Sequence, residues 1–256
     1  MSLAIDHVFV FIGPDGPEPE ALRRLGLSET YRRVHPGQGT ANACFAFDNL
    51  FLELLWLTSE DEVRSAPIAR TRLWERSRWR EQGACPFGIA VRSDLAGAGV
   101  PTWNYRPPYL PEGMAIPVAT AGDDPALPMV FVSPGTQAPA QWPEERKGRL
   151  QQDAGFGRVL SVQLGLPARA ASAPIWHALA ATIPSMDVAP RPEGSYRLRL
   201  ALADPEGQHT HTLDLASTAI GQWRLSLIDE GLLQRSWQRA WATLGLRAPE
   251  GLRQKL

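Results

Sequence analysis

The chain has 256 residues, 44% of them apolar and 21% charged, which is globular composition and excludes global disorder. A net charge of −1 argues against a nucleic-acid binder, which would carry a basic face strong enough to shift the total. No apolar run approaches the ~18 residues of a membrane span, and two cysteines are too few for a disulfide framework or a zinc ribbon.

The first predicted element, Ala4–Ile12, is an apolar strand interrupted only by Asp6 and His7. The same stretch lacks the basic flank and cleavage site of a signal peptide, so a cytoplasmic, reduced protein is expected. Cys44 and Cys85 then read as buried free thiols, one disulfide between them being the alternative. Gly13–Pro17 is turn chemistry, and Pro19 opens a short helix through Leu25 that Gly26 stops. Strands follow at 30–34, 42–47 and 51–57, the last two joined by the hairpin signal Asp48-Asn49. The first unit therefore reads β-α-β-β-β. Residues 59–82 read as helical, split at Pro67 with Ser65 capping the second piece. The arginines of this stretch read either as an anion-binding face or as solvated stems over Trp74 and Trp79, and Glu75 and Glu81 favour the second by offsetting the charge.

Residues 85–92 form the next predicted strand, followed by a turn or stunted helix at 93–99. Trp103–Gly113 is too rich in proline for regular helix. With strands at 114–119 and 128–133, this middle block is a shortened echo of the first unit. The last third reads as a strand at 158–166, then a helix capped by Ser172 with the stripe Ile175, Trp176, Leu179, Ala180 and Ile183. Strands at 196–203, 211–216 and 223–228 follow, with a closing helix from Asp229 to Leu244. The order β-α-β-β-β thus occurs twice clearly, with a degraded copy between, and that repetition organises the chain. It divides into residues 1–140, holding module one (3–58) and a shortened module two (84–135), and a C-terminal module at 150–256. No glycine-rich phosphate loop stands at a strand-to-helix junction, so no nucleotide cofactor is expected.

Repeated units of this order resemble the vicinal oxygen chelate superfamily, which includes glyoxalase I, bleomycin-resistance proteins and extradiol dioxygenases. Asp6-His7-Val-Phe-Val-Phe resembles its first strand, where a His is a common metal ligand, and Phe51-Leu-Glu53-Leu-Leu its fourth, where a Glu is the matching ligand. Between them His35-Pro-Gly-Gln-Gly-Thr40-Ala-Asn42 is similar to the H-x-G-x-G-T-x-N stretch of the glyoxalase-like domain group. The resemblance implies an α+β fold whose β-α-β-β-β modules form curved mixed sheets around a cavity for a small polar metabolite. It implies His7 and Glu53 as catalytic residues and as ligands to one divalent ion (Zn, Mn, Fe, Ni or Co), with lyase, isomerase or dioxygenase chemistry.

The residues support the pair independently: a His and a carboxylate on neighbouring strands suit a metal with open positions, and strand alternation groups Glu53 with Phe51 and Leu55. His35, Thr40 and Asn42 from the glycine-rich loop, and Trp103 and Arg106 from the aromatic segment, are the expected substrate-binding residues, with His35 also considered as a third ligand. Against a full metal site, Phe87–Val91 offers no His or Gln and Pro128–Ser133 no Glu. A metal-free binding or sequestering protein of the bleomycin-resistance type is therefore the alternative. The C-terminal module would extend the sheet or serve a homodimer contact, and a competing arrangement pairs modules one and three. His209-x-His211 reads as an exposed hairpin rather than a chelate.

Overall fold

A computed structural model describes residues 3–218 and 222–231. Residues 4–57 form β1 (Ala4–Phe11), α1 (Glu18–Arg24), β2 (Tyr31–His35), β3 (Thr40–Ala46) and β4 (Phe51–Leu57). Four short helices follow: α2 (Glu60–Arg64), α3 (Ala66–Ala69), α4 (Leu73–Ser77) and α5 (Trp79–Gln82). The strand pattern then recurs as β5 (Phe87–Arg92), β6 (Thr102–Tyr105), β7 (Ile116–Ala119) and β8 (Met129–Val132). All eight strands share one mixed sheet in the order β2-β3-β4-β1-β5-β8-β7-β6. β1 runs parallel to β4, β5 runs parallel to β8, and β1 meets β5 antiparallel at the centre. The sheet is thus two copies of one four-strand pattern, and modules one and two build it together. Central strands covered on both faces read as continuous apolar runs, which is how β1 and β5 read.

Module two is trimmed. The counterpart of α1 is a single 3₁₀ turn at Ala96–Ala98. β6 contains no proline itself and stands at the sheet edge; Pro101, Pro107, Pro108 and Pro111, which flank it, mask this short strand in the sequence. Between the modules, Ser59 caps α2 by accepting from the Glu62 N–H, whereas Ser65 turns its hydroxyl back to the Glu62 carbonyl and caps nothing. The arginines do lie over indoles, by their guanidinium groups: Arg64 and Arg78 over Trp74, and Arg80 over Trp79. Arg76 is the exception. Its buried guanidinium donates to the carbonyls of Cys85, Gly122, Pro125 and Leu127, tying α4 to module two.

After α6 (Glu144–Lys147), the C-terminal part forms β9 (Arg158–Pro167), α7 (Ala168–Ala171), α8 (Ile175–Ala180), β10 (Met186–Arg191), β11 (Arg197–Ala203), β12 (Thr210–Ser217) and β13 (Trp223–Asp229). These strands make a second sheet, β10-β9-β11-β12-β13. Two expectations are corrected here. Ser172 closes α7 rather than opening the next helix, which starts after Pro174. β10 is a strand the sequence reading did not contain, and with it the C-terminal order is no longer that of the other two modules. The expected closing helix lies, beyond residue 231, outside the described residues.

One continuous apolar core joins the two sheets. Trp223 donates its indole N–H to the Phe11 carbonyl at 2.9 Å, and its ring packs on Trp79 and Phe87. Cys44 and Cys85 are buried free thiols, and burial pushes the Cys85 thiol up to about 12 against the pull of Arg76. No helix among the described residues is long and apolar enough to cross a membrane.

Candidate functional site

Strand register decides which side chains meet. Tyr31, Cys44, Glu53, Phe9, Gly88 and Met129 form one row across six adjacent strands, and Ala46, Phe51, His7, Ala90 and Phe131 form the next. Much of this face borders a cavity of about 480 Å³, within the about 300–1,000 Å³ usual for small-molecule sites. At the start of β1 the register against β5 slips by one residue between Ile5 and His7. A bulge of this kind re-aims a side chain, and here Asp6 and His7, adjacent in sequence, both border the cavity.

The polar floor is a connected line. His7 Nδ1 is 2.8 Å from Asp6 Oδ2, and His7 Nε2 is 3.3 Å from Glu53 Oε2. Asn42 Nδ2 donates to Glu53 Oε1 at 2.5 Å and sits 3.5 Å from His35 Nε2. His35 Nδ1 is 3.0 Å from the Thr40 hydroxyl, to which Gln38 also donates, and Tyr105 donates to Gln38 Oε1. Asp6 is fixed from behind by Ser133 and by Arg92, which also donates to the Ile5 and Asn49 carbonyls. Burial raises the Asp6 carboxyl, but the bonds from His7 and Ser133 and the charge of Arg92 outweigh it and leave it below the ordinary range. Burial holds His35 below the ordinary imidazole value, with Arg33 and His7 adding to the effect and Glu53 opposing it. The wall is aromatic: His7 stacks on Phe51 at 4.4 Å, and Phe51 packs edge-on against Trp142 and Tyr31.

This chain is similar to a known family over the segment that builds that floor: residues 5–113 match the model of a glyoxalase-like domain. Over residues 5–113 the chain is therefore glyoxalase-like. The matched segment runs from β1 through β6 and ends before β7. No functionally curated protein matches the chain. Among solved structures it is similar to a hypothetical protein from Bacillus halodurans C-125, at 18% identity and a TM-score of 0.35 over 52% of this chain and 94% of that one. It is also similar to a hypothetical protein from Staphylococcus aureus, at 12% identity and a TM-score of 0.44 over 82% of this chain and 81% of that one. Both likenesses are distant.

Within this segment, the structure brings His7, Glu53, His35, Thr40 and Asn42 into one hydrogen-bonded line. It does not bring Trp103 and Arg106 to them. Alternation along β6 turns Tyr105 inward, leaving Arg106 just beyond the strand exposed, and Trp103 lies under the Arg70 guanidinium outside the cavity lining. Tyr105 and Tyr109 take the places expected of Arg106 and Trp103. Gln38, Arg33 and Arg146 also border the cavity and were not anticipated. His209 is exposed on the Asp204 turn while His211 packs against Phe156, so the two do not form a chelate.

The metal implied by the fold family can be tested against the donors present. His7 pairs with the residue two before Glu53. The same relation on β5 and β8 selects Gly88 with Phe131, or Ala90 with Ser133, and neither pair contains a His, Asp or Glu. Gly88 has no room for a ligand: a Cβ there would lie 2.0 Å from the Phe9 ring. His35 is committed to Thr40 and faces the Asn42 amide. Among the described residues, no group of three or more His, Cys, Asp or Glu side chains could hold a metal. The residues present do not fit the family's multi-ligand centre.

Proposed function

We propose that this glyoxalase-like protein binds a small metabolite in the sheet-lined cavity through side chains alone, without the metal of its fold family. The apolar character of Gly88, Ala90, Met129 and Phe131, where module two would have to supply ligands, carries this reading. Glu53 and His7 then present an acceptor and an imidazole to a polar group of the ligand, and the rings of Phe51, Tyr31 and Trp142 cover its apolar body. The test is elemental analysis of tag-free protein purified without chelator, before and after incubation with Zn, Mn, Fe, Co and Ni, with a fragment-binding screen on the same sample. The expected result is no stoichiometric metal, with fragments lost in Glu53→Ala and His7→Ala. A stoichiometric ion that disappears in both variants would overturn the reading.

The line Asp6–His7–Glu53 supports a second reading, acid–base catalysis of the isomerase or lyase type. Glu53 would accept a proton from the bound ligand, and His7, with Asp6 fixing its other nitrogen, would hydrogen-bond the group on which charge develops. Turnover of an enolisable substrate that Glu53→Gln abolishes while binding survives is the expected signature, and turnover unaffected by that change would sink it.

A further inference from the structure

Resting on the binding reading above, we infer that the cavity selects an oxyanion carried on an aromatic ring, held at the rim by Arg33 and Arg146. Arg33 stands on β2 beside Asn42 of β3, and its guanidinium lies 5.2 Å from the Tyr109 ring centroid. Arg146 comes from α6, a distant part of the chain, and its guanidinium lies 3.8 Å from the Trp142 centroid and 5.3 Å from that of Tyr31. Both arginines border the cavity, and neither has a carboxylate partner among the described residues. Arg32, the next residue along β2 and on its other face, is paired to Glu29 at 2.5 Å. The two rim arginines are thus held in place by rings while their charge is left free, and a planar guanidinium presents paired donors that match a carboxylate or phosphate edge.

The floor fixes the orientation. Glu53 is the acidic end of the cavity, and the neighbouring Asn42 Oδ1 is buried with no hydrogen-bond partner. Both are acceptors, so the deep end repels an anion and welcomes a neutral donor such as a hydroxyl. Between rim and floor stand Tyr31, Phe51 and Trp142 with centroids 5.6–6.2 Å apart, a wall suited to the edge or face of a ring. The ligand that satisfies all three zones is an aromatic oxyanion with a hydroxyl at the opposite end.

Calorimetric titration with para-hydroxybenzoate, para-hydroxyphenyl phosphate and the neutral para-hydroxybenzamide tests this. One or both anions are expected to bind at least tenfold tighter than the amide, and the better of the two identifies carboxylate or phosphate as the headgroup. Arg33→Gln and Arg146→Gln, both at exposed side chains, should each weaken the anion about tenfold, the value of one charge-assisted hydrogen bond, and leave the amide unchanged. Arg32→Gln removes the same charge from the other face and should change neither. Equal affinities for amide and anions, or anion binding untouched in the double variant, would overturn the inference while leaving a cavity that binds rings. Silence of all three probes would also overturn it, and the metal analysis and fragment screen would then judge the binding reading separately.

Discussion

The two halves of the eight-stranded sheet have the same topology and opposite chemistry. Residues 4–57 bury eight polar or charged side chains: Asp6, His7, Glu18, His35, Gln38, Thr40, Asn42 and Glu53. Among the described residues from 87 to 132 no charged side chain is buried, and the one buried hydroxyl is that of Tyr105, which donates to Gln38. One half supplies the cavity floor and the other supplies apolar support and, through Ser133 and Arg92, the two groups that fix Asp6. The pseudo-symmetry of a duplicated fold is therefore a backbone property. It requires that strands pair in the same order, and it leaves each half free to lose its helix or its polar residues once the other half carries the site.

The largest expected effect comes from the residue that secures the apolar half. Arg76→Ala would remove the side-chain donor shared by the carbonyls of Cys85, Gly122, Pro125 and Leu127, of which Pro125 keeps the Cys85 N–H, and open a cavity, a loss of about 3–5 kcal/mol by analogy with broken buried ionic contacts. Urea unfolding should show it, and hydrogen exchange should show β5 and β8 losing protection before β3 and β4. Uniform loss of protection would mean that the two halves unfold as one. Next in size is Gly88→Ala, which places a methyl against the Phe9 ring and should cost about 1–3 kcal/mol as an overpacked site. In the background of Phe9→Ala the same change should cost much less, since the clashing ring is gone. If the two penalties simply add, Phe9 is not what keeps ligands out of β5.

Much of the first half was legible because its signals are local. β4 is found at Phe51–Leu57 as expected, and the proline and glycine that bracket α1 place it within a residue. Glu53 stands out because a carboxylate in an apolar strand needs a partner, His7 because of the resemblance of its strand, and His35 and Asn42 because they bracket a glycine-rich loop; each proves to be a partner for another. What was not legible depends on separation. Tyr105 reaches Gln38 across 67 residues of sequence, and Arg146 reaches Tyr31 from an element with no periodic signal of its own. β10 was hidden by Pro190, which is tolerated because β10 is the edge of its sheet. Arg106 was chosen for its aromatic neighbours, whereas a residue beside a short edge strand is placed by alternation, and alternation favoured Tyr105.

The smallest effects concern pH, and they follow the same division, since the buried carboxylates and imidazoles of the two modules sit in the first half. Two of them act in opposite directions. Burial raises the Glu18 carboxyl above its ordinary 4.5, with backbone N–H groups and Arg80 opposing. The folded state then holds a proton that the unfolded chain releases, so this contribution is complete below 4.5 and is lost as pH rises through the raised value. His35 is held below its ordinary 6.5, so its contribution is present above 6.5 and is lost as pH falls through the lowered value. Between these limits the two slopes offset, and the wild-type urea midpoint should change little. Glu18→Gln should unmask a midpoint that climbs as pH rises towards 6.5, and His35→Gln one that declines as pH rises above 4.5. Identical slopes in the two variants would show that neither group titrates as its burial requires, and that the first half's polar load is balanced by contacts other than these two.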